Sequence, residues 1–111
     1  MEIILTDTSC IITPLSSKLD KYQGDRVFKK AVSETKKIAL NLDYVTDCTI
    51  EFIEELKNFA KNNEISFFNI NSDIFSIFNF MELDKIVKIY VSENDFKTES
   101  RRLIKRDFKL V

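Results

Sequence analysis

From residue 9 onward this chain changes four times from a strand-type to a helical hydrophobic pattern, and that alternation limits the fold more than any single motif. Short runs rich in β-branched or alternating apolar residues occupy 9–14 (SCIITP), 37–42 (KIALNL), 65–70 (ISFFNI) and 85–91 (KIVKIYV), each followed by a stretch with helical spacing. In KIALNL, Ile38, Leu40 and Leu42 share one side while Ala39 and Asn41 share the other, the two-residue repeat of a strand. From Asp20 the stripe Gly24, Val27, Phe28, Ala31 and Val32 marks a helix, with Asp25, Arg26, Lys29 and Lys30 off it. A second helix, about 48–62, carries Phe52, Ile53, Leu56, Phe59 and Ala60 against a charged face and stops at Asn62-Asn63. Ser72 is the expected N-cap of a third helix over 72–81, with Ile74, Ile77, Phe78 and Met81 on one stripe, and 92–100 reads as a short polar helix. Residues 2–5 form a further strand ahead of 9–14, which Pro14 terminates because it has no N–H for a ladder. Strand–helix alternation of this kind makes a parallel sheet with helices against it. The predicted fold is a single α/β domain over 1–111, with a mixed, mainly parallel sheet of about five strands and about four helices.

With 111 residues, 44% of them hydrophobic, the chain can build a core without disulfide or metal staples. One Gly and one Pro leave little scope for a glycine-rich phosphate loop or a disordered linker. Histidine is absent, which removes the usual general base near neutral pH, the usual zinc nitrogen ligand and any Ser-His or Cys-His nucleophile pair, so the expectation is not an enzyme. A net charge of −1 gives no overall attraction to nucleic acid or anionic lipid. No run is apolar enough to span a bilayer and no signal-peptide pattern opens the chain, so a cytoplasmic protein is expected, with no cofactor. In that compartment Cys10 and Cys48 are expected as free thiols.

Three stretches together resemble the STAS family of bacterial anti-anti-sigma factors (anti-sigma factor antagonists). SSKLDKYQGDRVFKKAV, 16–32, is similar to that family's Gly-x-Leu-Asp and first helix, with Leu19-Asp20 matching and Ser17 in the Gly place. IALNLDYVTDCTI, 38–50, resembles Val-Leu-Asp-Leu-Ser-Gly-Val followed by Asp-Ser-Ser-Gly, with Asn41 where Asp is usual and Asp47-Cys48-Thr49-Ile50 for the second motif. ISFFNINSDIFSIFNFMELDKIVKIY, 65–90, resembles the later strand, capped helix, Gly-Leu-Asp and closing strand, with Leu83-Asp84 matching and Glu82 replacing Gly. The likeness spans roughly 2–96 and implies a regulatory protein–protein interaction module. It implies Thr49 as a phosphoacceptor for a partner that is both serine kinase and anti-sigma factor. It also implies a partner surface at Asp20, Asp47, Cys48, Thr49, Ile50 and Glu51. The departure from Gly at Ile50 favours the alternative of a non-phosphorylated STAS-like subunit of a membrane lipid ABC transporter, partnering its ATPase, or a signalling scaffold.

Each of these residues also has a plainer reading. Asp47 is expected as N-cap of the second helix, putting Thr49 at N2, and both are ordinary first-turn residues. Cys48 is either a thiol activated by a helix N-terminus or a small residue packed on the sheet. Asp43 and Asp47 lack a third ligand and read as solvated carboxylates rather than a metal pair. Phe75 and Phe80 either widen the core contact of their helix or form a second, aromatic patch for a partner. The basic 101–111 extension reads as a solvated edge or an arm for an acidic partner, its structure open between strand and helix.

Overall fold

The computed structural model describes residues 1–34 and 36–98; the 101–111 extension lies outside the described residues. The strand pair β1 (Glu2–Leu5) and β2 (Ser9–Thr13) is antiparallel, with Ile3 opposite Ile12 and Leu5 opposite Cys10. β4 (Lys37–Asn41), β6 (Ile65–Phe68) and β7 (Lys88–Ile89) then add in parallel, giving the order β1-β2-β4-β6-β7. The connecting helices are α1 (Lys21–Val32), α2 (Ile50–Ala60) and α3 (Ser72–Phe80). Every crossover moves the chain the same way along the sheet, and crossovers of one hand progressing one way deposit their helices on the same face.

The core records that arrangement. Cys10, Ile12, Ile38, Leu40, Ile65, Phe67 and Ile89 point from alternate strand positions into one cluster with Val27, Phe28, Phe52, Ile53, Leu56, Ile74 and Phe78 of the three helices. The intervening positions Ile11, Ala39 and Phe68 meet Tyr90 and Phe96 on the other face, and Phe96 comes from α4 (Glu93–Thr98). The sheet is therefore apolar on both faces, as parallel strands covered by helices must be.

Helix starts follow their caps. Asp20 accepts the Gln23 N–H at 2.9 Å, and Asn71 accepts the Ile74 N–H at 2.8 Å. The cap of α3 is thus Asn71 rather than Ser72, one residue earlier than the sequence pattern suggests. The strand expected over 85–91 shortens to Lys88–Ile89, because Leu83–Lys85 forms a 3-10 turn that takes the chain off α3. Ahead of that turn Glu82 has φ 60°, the left-handed conformation for which glycine is the easy residue.

Candidate functional site

Two further strands, too short to show an alternating pattern, build the candidate site. β3 (Lys18–Leu19) and β5 (Asp47–Cys48) pair in parallel, Lys18 opposite Asp47 and Leu19 opposite Cys48. This miniature sheet lies beyond the carboxyl ends of β2 and β4, in the loops leading to α1 and α2. It is tied down from several sides. The Thr46 and Asp47 N–H groups donate to the Ser17 carbonyl at 2.8 and 3.1 Å, and the Thr49 N–H donates to the Leu19 carbonyl at 2.9 Å. The Asn71 amide donates to the Val45 carbonyl at 3.2 Å, and the Asn69 amide donates to Asn41 Oδ1 at 3.0 Å. Asn41, where the resembled motif has Asp, braces the loop: its Oδ1 also accepts the Asp43 N–H at 3.1 Å.

The helix start differs from the expected one. Thr49, not Asp47, is the N-cap of α2, its Oγ1 accepting the Phe52 N–H at 3.2 Å. Asp47 is held two residues back by its pairing with Lys18, and its carboxylate accepts the Cys48 N–H at 2.9 Å. Because Leu19 pairs with Cys48, the next residues along, Asp20 and Thr49, come side by side, and each caps the helix that follows it. Thr49 is half-buried, Asp20 half-buried, and Asp47 and Glu51 are exposed. Ile50 presents 55% of its surface to solvent. The positive-φ residues described are Asn69 and Glu82, so position 50 makes no conformational demand for the glycine of the resembled motif.

Cys48 is buried as a member of the main core cluster. Burial, with the charge of Asp47 adding to it, pushes its thiol up to about 11. Burial likewise raises the thiol of Cys10, with Glu34 next in effect. Both cysteines are free and buried, which fits packing and leaves neither with thiolate at neutral pH. At pH ~8 iodoacetamide is expected to leave both unmodified in the folded protein and to alkylate both in urea, read by intact mass. Since folding raises the Cys48 thiol above the ordinary range of roughly 8.5, the stability it contributes is present below that range and lost as pH climbs toward 11, and the raised Cys10 thiol acts in the same direction. The thermal midpoint should fall across that window.

Asp43 is exposed like Asp47, and among the described residues no three His, Cys, Asp or Glu side chains converge as metal ligands. Phe75 and Phe80 part company: Phe75 packs half-buried against the core, whereas Phe80 is 85% exposed. Leu15 and Tyr44, on loops at the same end of the sheet as Thr49, are also more than half exposed and were not foreseen as site residues. An apolar side chain in a turn sequence, after Pro14 or after Asp43, is the signal that points to them.

Among the described residues the chain has a STAS-like α/β fold: a five-stranded, mostly parallel sheet with four α-helices. Among solved structures it is similar to TM1081 of Thermotoga maritima, described as a candidate anti-sigma factor antagonist. The crystal structure of that protein superposes with a TM-score of 0.74 at 22% identity, over 91% of this chain and 94% of that one. Its NMR structure gives 0.72, also at 22% identity, over 90% and 87%. No protein-family model matches the chain, and no curated protein matches it in sequence. No described helix is long and apolar enough to cross a membrane.

Proposed function

We propose that the chain is a regulatory protein–protein interaction module of the anti-sigma factor antagonist kind, binding its partner through Asp20, Asp47, Thr49, Ile50 and Glu51, with the buried Cys48 supporting that surface from beneath rather than touching the partner. Its switch is phosphorylation of Thr49 by a partner that is both kinase and anti-sigma factor. One observation carries this reading: the Thr49 hydroxyl stands at the cap of α2, on a corner braced by main-chain bonds and bordered by the exposed Asp47, Ile50 and Glu51. Oγ1 accepts from Phe52, and among the described residues its own proton has no acceptor, leaving it for a kinase base. Attack of that oxygen on the γ-phosphorus of ATP forms the ester and expels ADP.

A phosphate at a helix N-terminus meets unpaired N–H groups and the positive end of the dipole, favourable by about 0.3–1 kcal/mol. Asp47 and Glu51 oppose it, and about −1.5 to −2 charges arrive at once. The ester therefore changes the surface potential while the fold keeps its cap. A partner face that accepts a neutral threonine rejects the dianion.

The test incubates the chain with ATP and each candidate kinase partner and reads intact mass. Wild type and Thr49→Ser are expected to gain one phosphate and to lose partner binding once phosphorylated. Thr49→Ala is expected to gain none and to lose about 1 kcal/mol of stability with its cap. Phosphate on the alanine variant, or partner binding indifferent to phosphate, rejects the switch. The second reading, a non-phosphorylated subunit of a lipid ABC transporter or a scaffold, draws on the apolar exposure of Ile50, Tyr44 and Leu15. Recovery of a transporter ATPase rather than an ATP-binding kinase favours it.

A further inference from the structure

At the opposite end of α2 from Thr49 the surface changes character. A groove of about 590 Å³ runs between the last turn of α2, which supplies Lys57 and Lys61, and the end of α3 with the following 3-10 turn, which supply Phe80, Met81, Lys85 and Ile86. That volume falls in the range of side-chain and ligand binding clefts, about 300–1,000 Å³. Phe80 is the most exposed large apolar residue described, at 85%, and Ile86 is nearly half exposed. Leaving a phenyl ring in water forgoes the gain from its burial, in a chain that buries most of its other phenylalanines. Phe80 stands at the end of α3, and the left-handed Glu82 two residues on turns the chain directly after it, bringing Lys85 and Ile86 round to the same groove.

The rim is cationic. Glu82, which also lines the groove, accepts from Lys85 at 2.8 Å and so offsets that charge, whereas Lys57 and Lys61, one helical turn apart, form no ion pair among the described residues. A cation in the last turn of a helix complements the dipole, which accounts for Lys57 and Lys61 but not for Phe80 and Ile86. An apolar floor flanked by two lysines outside any described ion pair matches one shape of partner: a helix with an apolar stripe and carboxylates along its margins. A second copy of this chain docked two-fold on the groove would bring lysines to lysines. A lipid surface is flat where this site is concave.

We propose that this groove is a docking site for an acidic amphipathic helix of a partner protein, separate from the Thr49 corner. α2 has 11 residues, so its two ends lie about 16 Å apart. The proposal stands whether or not Thr49 is ever phosphorylated.

The test uses the whole chain, labelled with nitrogen-15, and two synthetic helical peptides with leucine at i, i+3, i+4 and i+7. One carries glutamate at the remaining positions and the other lysine. The glutamate peptide is expected to shift the amide resonances of Lys57, Lys61, Met81 and Ile86, and the lysine peptide to leave them in place. Phe80→Ala should weaken the glutamate peptide at least about tenfold. Lys57→Glu with Lys61→Glu should reverse the preference. All three positions are at the surface, so the thermal midpoint reports that the variants fold. Equal affinity for the two peptides, no binding of either, shifts confined to other faces, unchanged affinity in Phe80→Ala, self-association through the groove, or vesicles of anionic phospholipid outcompeting the glutamate peptide would each overturn the proposal.

Discussion

Replacing Phe52 by alanine is expected to remove about 3–5 kcal/mol of stability, the usual cost of deleting a fully buried phenyl ring. Phe52 is fully buried at the start of α2, with its ring stacked on Phe28 at 5.5 Å between centroids. Phe28 in turn stacks on Phe59 at 5.0 Å, so the three rings join α1 to both ends of α2. Such pairs are worth about 0.5–1.5 kcal/mol beyond the area they bury, which places the expected loss toward the upper part of the range. Domains of this size have about 5–15 kcal/mol in all, so the substitution should remove between a fifth and nearly all of the stability. Urea unfolding checks it, with the exposed Phe80→Ala as control at within about 0.5 kcal/mol of wild type. A loss below ~1 kcal/mol for Phe52→Ala would mean that the helices are not held together by these rings.

Gly24→Leu is expected to destabilise the fold by about 1–3 kcal/mol through overpacking at the same helix contact. A Cβ on Gly24 would stand 2.6 Å from Glu55 Oε1 and 3.0 Å from Phe52 Cδ1, with Phe28 Cε2 at 3.7 Å. The Glu55 carboxylate can swing away, since Lys21 holds it only at 3.5 Å and its side chain is partly exposed. The Phe52 ring cannot, because it is sealed and stacked. Gly24→Ala divides these effects. It gains up to about 0.8–1 kcal/mol of helix propensity, but its Cβ displaces the Glu55 carboxylate and already crowds the Phe52 ring, and that crowding offsets the gain, so it should be close to neutral. The pair of unfolding midpoints is the measurement, and a leucine variant as stable as the alanine variant would contradict the close approach of α1 and α2.

The long elements were legible because burial imposes a period. Val27, Phe28 and Ala31, or Phe52, Ile53 and Leu56, declare a helix face whatever the neighbours are. Ile38 and Leu40 against Ala39 likewise declare the two faces of β4. What escaped was the pair β3 and β5: two residues each cannot show an alternation, and their pairing joins Ser17 to Thr46 and Asp47 across the sequence. That pairing decides which of two capable residues caps α2, so Asp47 was the expected cap and Thr49 is the observed one. Composition hid the exposure of Phe80 as well, because Phe75 and Phe80 look alike in the sequence and only the end of α3 separates them. At Glu82, by contrast, the glycine of the resembled motif does correspond to a left-handed backbone.

The β3–β5 tie has a consequence for local opening. Freeing the Thr49 N–H from the Leu19 carbonyl, or the Thr46 and Asp47 N–H groups from the Ser17 carbonyl, releases the ladder that aligns both helix entrances. The first turns of α1 and α2 are therefore expected to fray as one cooperative unit rather than as two, read by amide hydrogen exchange. Whatever clamps one entrance quiets the amides of the other, so an event at residue 49 is transmitted to residue 20 through the backbone, without any side chain between them having to move.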